Sequence, residues 1–274
     1  MLNKISFGSF RYHSTTITHF LFLRSLGFIY CIAFLVFLNQ WEALIGSRGL
    51  SPASHFLNSM SNQKSFWDLP SIFWFNSSDS FLFWSGCIGF IISILVSLGL
   101  TNAIAMFLLW AIYMSIIHVG QQFYSFGWET MLLETGFLAI FLCPVFSWKP
   151  FSKNTPPSPA IFILILWLLF RNMFGAGLIK LRGDDVWKDL TALTYHFETQ
   201  PIPNSLSWFF HHLPLPILKL GVLINHVVEL IVPFFLFGPR LFRHSAAFII
   251  LIFQMTLILS GNLSWLNWLT IVQC

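Results

Sequence analysis

The sequence predicts an all-α integral membrane protein: a helical bundle of about seven spans, within a range of five to eight, with a short amphipathic helix in an outer loop. Three observations predict it. Only 9% of the 274 residues are charged and 56% are hydrophobic, whereas a soluble domain has about 25% charged residues. The apolar residues come in long runs, and the run 81–100 has 20 residues without a charge, enough to cross the hydrocarbon core as a helix. Finally, the charges cluster. Of the 14 basic and 10 acidic residues, seven fall between Lys180 and Glu198.

In chain order, the expected spans are 20–38, 81–100, 103–118, 130–146, 160–179, 217–237 and 246–259. The third, fourth and seventh are short for a full crossing, which sets the range. The first run has no small-residue cleavage site and reads as an anchor, not a removed signal. The first four spans make an N-terminal membrane half, 1–149. A cytosolic linker with four prolines, 150–159, stiffly joins it to a C-terminal half, 160–274, whose outer loop is 180–216. Orientation follows from the basic residues. With the N-terminus in the cytosol, Lys4, Arg11, Arg24, Lys149, Lys153, Arg240 and Arg243 all lie on that side, with no acidic residue among them. The sequons Asn76-Ser77-Ser78 and Asn262-Leu263-Ser264 then fall on the outer side.

Several function classes are disfavoured. The net charge of +4 forms no Lys/Arg stripe, so no nucleic acid is expected. Cys31, Cys87, Cys143 and Cys274 are far apart with no CxxC pair, which argues against thiol–disulfide chemistry. His211 and His212 are adjacent, so on a helix their rings face different ways. No HExxH supports a metal, and no metal or cofactor is expected. G-x-S-x-G, P-loop and GxGxxG motifs are missing too.

The charged stretch reads as a surface element. Gly183-Asp184-Asp185 is a helix start, with Asp184 as cap and Asp185 in the first turn. Trp187, Leu190, Leu193 and Phe197 recur on one helical face, expected to lie aromatic side down on the membrane. Pro201-Ile202-Pro203 stops the helix, and Trp208-Phe209-Phe210 fits an interfacial belt. Its charges, Lys180 among them, read as solvated ion pairs. This account leaves Tyr195, His196, Glu198, Thr199 and Gln200 without a role.

Ionisable residues inside spans are expensive and usually serve something. The candidates are His118, Glu134, Arg171, His226 and Glu229. His226 and Glu229, three apart, share a face, and Glu134 and Arg171 are placed to pair across two spans. Two readings stand: polar contacts that fix helix packing, or a proton path, substrate pocket or catalytic site.

Two blocks carry a family resemblance. FGWETMLLETGFLAIFLCP at 126–144 resembles a signature of the lipase maturation factor family. So does IKLRGDDVWKDL at 179–190, continuing through TYHFETQPIPN at 194–204, and GNLSWLNWLTI at 261–271 looks like the next block. The resemblance makes Gly127, Trp128, Glu129, Glu134 and Gly136 a motif at a membrane turn. It makes Gly183, Asp184, Asp185, Trp187, Tyr195, His196, Glu198, Thr199, Gln200, Pro201 and Pro203 candidates for a client-facing surface. It implies a multi-pass protein of the endoplasmic reticulum membrane in animals. There such proteins help homodimeric secreted lipases, lipoprotein lipase among them, to fold and assemble, a chaperone-like role and not catalysis. In bacterial relatives the membrane is the cytoplasmic one and the clients are unknown. The partners implied are the bilayer and a secreted client. The alternative is a membrane-embedded enzyme, since the family is distantly similar to the membrane region of vitamin K-dependent carboxylases. A transporter would rest on the buried charges alone and lacks the paired inverted repeat. Family members continue beyond the equivalent of Cys274, so a fragment or short form is expected.

Overall fold

The computed structural model describes residues 12–61, 65–148 and 158–274. The linker expected at 150–159 lies, apart from its last two residues, outside the described residues, as do Lys4, Arg11, Lys149 and Lys153. Among the described residues the secondary structure is helical throughout, with no strand. Six helical segments among the described residues are long and apolar enough to cross a membrane: Ile17–Leu44, Asp79–Ser97, Ala103–Tyr124, Pro159–Arg182, Leu215–Phe237 and Arg240–Ser260. The protein is thus a multi-pass, all-helical membrane protein. It divides into two units, one ending at Ile161 and the other beginning at Phe162.

In the first unit, α1 (Tyr12–Leu44) is followed by α2 (Ala53–Met60), α3 (Asp79–Ser97), α4 (Ala103–Gly120) and α5 (Gly127–Ile140). Helices α1 and α3 pack antiparallel, because Gly27 lies against Val96 and Ser97 while Gly86 lies against Phe37. Glycine is required at 89, where a Cβ would collide with the Phe34 ring. Small residues are how membrane helices approach closely where no hydrophobic effect drives them together. Asn102 caps α4 by accepting from the Ala105 N–H at 2.8 Å. The loop before α3 is tied to α4, with the Ile72 N–H donating to Ser115 Oγ at 3.1 Å and His118 Nδ1 lying 2.7 Å from the Pro70 carbonyl.

The fourth expected span takes a different form. Helix α5 has 14 residues, about 21 Å at 1.5 Å per residue. It is too short to span alone. Turns extend it to Pro144, whose carbonyl accepts from Ala103 N–H at 2.9 Å, at the first residue of α4. The chain from 127 to 144 therefore returns along the whole of α4.

The second unit holds α6 (Pro159–Arg182), α7 (Ala192–His196), α8 (Ser207–His211), α9 (Leu215–Leu230), α10 (Arg240–Ser260) and α11 (Leu266–Gln273). Pro233 has no N–H to continue α9, and the chain tightens into a 3-10 turn over Val232–Phe237. The apolar core joins Leu169 and Met173 of α6 to Val228, Val232 and Leu236, and to Ile250 and Phe253 of α10. Helices α6 and α9 run antiparallel, with Gly177 against Leu230 and Phe170 against Phe234 and Phe237. This register sets Lys180 level with Asn225 and Glu229. About ten residues of α9 therefore extend beyond the end of α6, roughly 15 Å.

The segment between α6 and α9 wraps that extension. The single amphipathic helix expected from 184 to 197 is two short pieces: a 3-10 turn, Asp185–Trp187, and α7. Leu190, with φ of 59°, breaks the continuity, a left-handed geometry that no α-helix interior tolerates. The apolar face is also used differently from expectation. Leu193 lies against Gly221 of α9, and Phe197 is buried, with its ring near that of Phe210. A face meant for the membrane surface covers another helix instead.

Candidate functional site

The two motif blocks build different local structures, one in each unit. In the first unit Gly127 opens α5 in open space, and Trp128 stacks on Phe126 with centroids 4.5 Å apart. Glu129 is 3% exposed. Its carboxylate accepts from the Trp128 indole N–H at 3.1 Å and from the Tyr113 hydroxyl of α4. Both oxygens thus have a donor, as a buried carboxylate requires. Gly136, two turns on, faces the Tyr30 hydroxyl of α1, which a Cβ would strike, and Tyr30 donates to the Leu132 carbonyl at 3.2 Å. Glu134 is half-buried on the same helix. The motif is therefore a packing node joining α1, α4 and α5.

In the second unit the centre is a buried ion pair. Lys180 Nζ donates to Glu229 Oε1 at 2.6 Å and to Asn225 Oδ1 at 2.9 Å. Asn225 Nδ2 donates to Glu229 Oε2 at 3.0 Å, closing the ring. Trp187 lies over it, with its ring centroid 5.0 Å from Lys180 Nζ, within cation–π reach. The Trp187 carbonyl accepts from His226 Nε2 at 3.0 Å. Since a carbonyl only accepts, that nitrogen carries its proton. His226 and Glu229, read from spacing as a pair on one face, thus turn to different partners. Lys180 is not a solvated charge. Arg171 stands exposed on α6.

Above this clamp the motif is displayed. Gly183 ends α6, donating to the Ile179 carbonyl at 2.8 Å. Asp184 caps the 3-10 turn by accepting from the Val186 N–H at 3.1 Å. Asp185 pairs with Lys188 at 2.6 Å on the exposed surface, which holds the carboxyl below and the ammonium above their ordinary ranges. Tyr195 is 56% exposed. Glu198, also exposed, lies 3.2 Å from His211 Nε2, and Thr199 Oγ1 donates to the Tyr195 carbonyl at 3.1 Å. Burial, then the nearby Lys180 charge, push the His196 imidazole below its usual value. Pro201 and Pro203 are exposed. The segment is pinned at its far end to the last turn of α10. Gln200 Nε2 donates to the Ser260 carbonyl at 3.3 Å, Ser207 Oγ to the same carbonyl at 2.7 Å, and Asn204 Nδ2 to that of Ile258 at 2.6 Å.

Sequence reasoning missed Lys180, Tyr113 and Tyr30 as members of these nodes. A signal existed for Lys180: a lysine near the end of a spanning run, opposite another run holding Asn225 and Glu229. No local signal existed for the tyrosines, whose role depends on which helix faces which.

Comparison with known proteins gives the family. The lipase maturation factor transmembrane domain family matches residues 17–274. Lipase maturation factor 1 of Mus musculus is 46% identical over 275 residues, covering 96% of this chain and 48% of that protein. The Homo sapiens form is 43% identical, covering 93% and 47%, and lipase maturation factor 2 of Xenopus tropicalis is 37% identical, covering 92% and 38%. The chain therefore spans about half the length of these relatives, or less. No solved structure matches.

Proposed function

The chain belongs to the lipase maturation factor family, and from that premise we propose that it is a membrane-embedded maturation factor for secreted proteins, with lipases as the first client class to test. It works in the endoplasmic reticulum membrane if the host is eukaryotic and in the cytoplasmic membrane if bacterial. The observation that carries this reading is the displayed segment 195–203. Its side chains Tyr195, Glu198, Thr199 and Ile202 are exposed, while its ends are pinned to α9 and α10. A surface held on rigid helices by buried groups is suited to meeting a partner without ordering itself first. Tyr195 supplies a large contact surface at low entropic cost.

Cells lacking the protein, complemented with wild type or with Tyr195→Ala plus Glu198→Ala, provide the test. Secreted lipase activity is measured against secreted lipase mass. Specific activity should fall for the double variant at equal membrane abundance. Unchanged specific activity would remove the displayed segment from client contact. Crosslinking from position 195 in native membranes, with mass-spectrometric identification, then names the client.

A further inference from the structure

The loop that leads into α3 carries an exposed aromatic patch outside both longer motif blocks. Residues 65–78 hold five aromatic residues and one charge, Asp68. Asp68 closes a tight turn. Its Oδ2 accepts from the Ser65 N–H at 2.8 Å and from Ser65 Oγ at 2.9 Å. The Ser65 carbonyl accepts from the Asp68 and Leu69 N–H groups at 3.1 and 3.2 Å. Phe66 and Trp67 form the tip of that turn. Trp67 is 86% exposed and Phe75, further along the loop, 81%. The three rings gather, with the Phe66 centroid 5.5 Å from that of Trp67 and 5.9 Å from that of Phe75.

The loop holds this patch in place. Phe73 is buried, its ring 5.9 Å from that of Phe81 on α3. The Trp74 indole N–H donates to the Leu69 carbonyl at 2.8 Å. Pro70 and Ile72 are bonded to His118 and Ser115 of α4, and the Ser71 hydroxyl donates to the Ser115 carbonyl at 3.3 Å. A contiguous exposed apolar patch marks a site for a protein partner or for a membrane. Depth separates the two.

Ser115 lies five residues before the end of α4, about 7.5 Å along its axis. Helix α4 belongs to Ala103–Tyr124, one of the segments long and apolar enough to cross the membrane. The loop is therefore tied to the side of a spanning segment, below its end. Phe75 comes four residues before α3, itself such a segment, whose first turns expose Phe83 and Trp84. Aromatic rings at this depth continue the lipid-facing rings of α3 into the boundary between headgroup and acyl chain, where Trp is enriched. Asp68, the one charge, is bonded within the turn, which lowers the cost of leaving bulk water. Residues 65–75 contain no Lys or Arg, so apolar area and not headgroup charge drives the insertion. We propose that the loop 65–75 is a monotopic anchor, with Phe66, Trp67 and Phe75 inserted among the lipids of the leaflet at which α3 begins.

Trp67 itself supplies the test. In the full chain reconstituted into phosphatidylcholine vesicles, the emission of wild type minus that of Trp67→Phe isolates this indole. The change is conservative and at an exposed ring, so the variant should keep its fold, read as an unchanged helical signal. The difference emission should be blue-shifted, lose most of its intensity in vesicles brominated at the upper acyl carbons, and survive aqueous iodide. Quenching by iodide and not by bromine overturns the proposal, because the indole then faces water. In native membranes, a benzophenone amino acid in place of Trp67 should, on irradiation, give adducts with the mass of a phospholipid. Adducts to another protein in their place also overturn it, because the patch is then a protein-docking face.

Discussion

The two longer motif blocks use their charges in opposite ways: 126–144 carries only two carboxylates, Glu129 and Glu134, whereas 179–204 carries seven charges of both signs. The block at 126–144 buries its first carboxylate: Glu129 is enclosed by Tyr113 and Trp128. The block at 179–204 shows most of its charges to solvent and buries one, Lys180, against Glu229 of another helix. The first is satisfied by dipoles, the second by an opposite charge. The difference teaches where each block can afford change. A carboxylate held by hydroxyl and indole donors tolerates neutralisation. An ion pair does not tolerate loss of one half, because the survivor is left buried and unpaired.

The largest effect should therefore come from Glu229→Leu, which strands Lys180. Unfolding in detergent should show a loss of about 3–5 kcal/mol, with much of it restored by adding Lys180→Met. A small loss in the single variant would break the contrast. Next is Gly136→Ala, whose methyl strikes the Tyr30 hydroxyl. It should cost about 1–3 kcal/mol, and Tyr30→Phe in the same chain should relieve part of it. Glu129→Gln, which keeps an acceptor for Tyr113, should cost less than Glu229→Leu, about 1 kcal/mol. If the two cost the same, the nodes are not different in kind. Tyr195→Ala should change stability by no more than about 0.5 kcal/mol, with its effect confined to client maturation. The smallest effect is in pH. Because folding depresses the His196 imidazole from its ordinary 6.5, the folded state favours the neutral ring. That stabilisation is complete above 6.5 and is lost as pH falls below it. Hydrogen exchange of α7 should speed up on acidification, and His196→Gln should flatten the response.

Much of this was legible in the chain. The long apolar runs placed the six crossing segments together with a seventh, 130–146, that is too short to cross alone; Asp184 was readable as a cap, and the doubled proline motif as the end of a helical stretch. Other parts were not. Nothing near Leu190 marks it as the left-handed residue that splits the outer helix in two. The periodic face of Leu193 and Phe197 showed that something would be covered, but periodicity does not say whether the cover is lipid or helix. Only the ten-residue overhang of α9 decided that. The 14-residue α5 likewise shows its reach only through the bond from Ala103 to Pro144.

By itself, then, the sequence determined which segments are apolar enough to enter the membrane, since the transfer free energy of a run of side chains is a local sum. It also determined the motif blocks, which are contiguous in the chain. The tertiary structure alone decided which charge meets which. Lys180 finds Glu229 49 positions away, and Tyr113 finds Glu129 across a tight turn. Those meetings depend on the register between helices, which is set by where glycines let them approach and rings hold them apart.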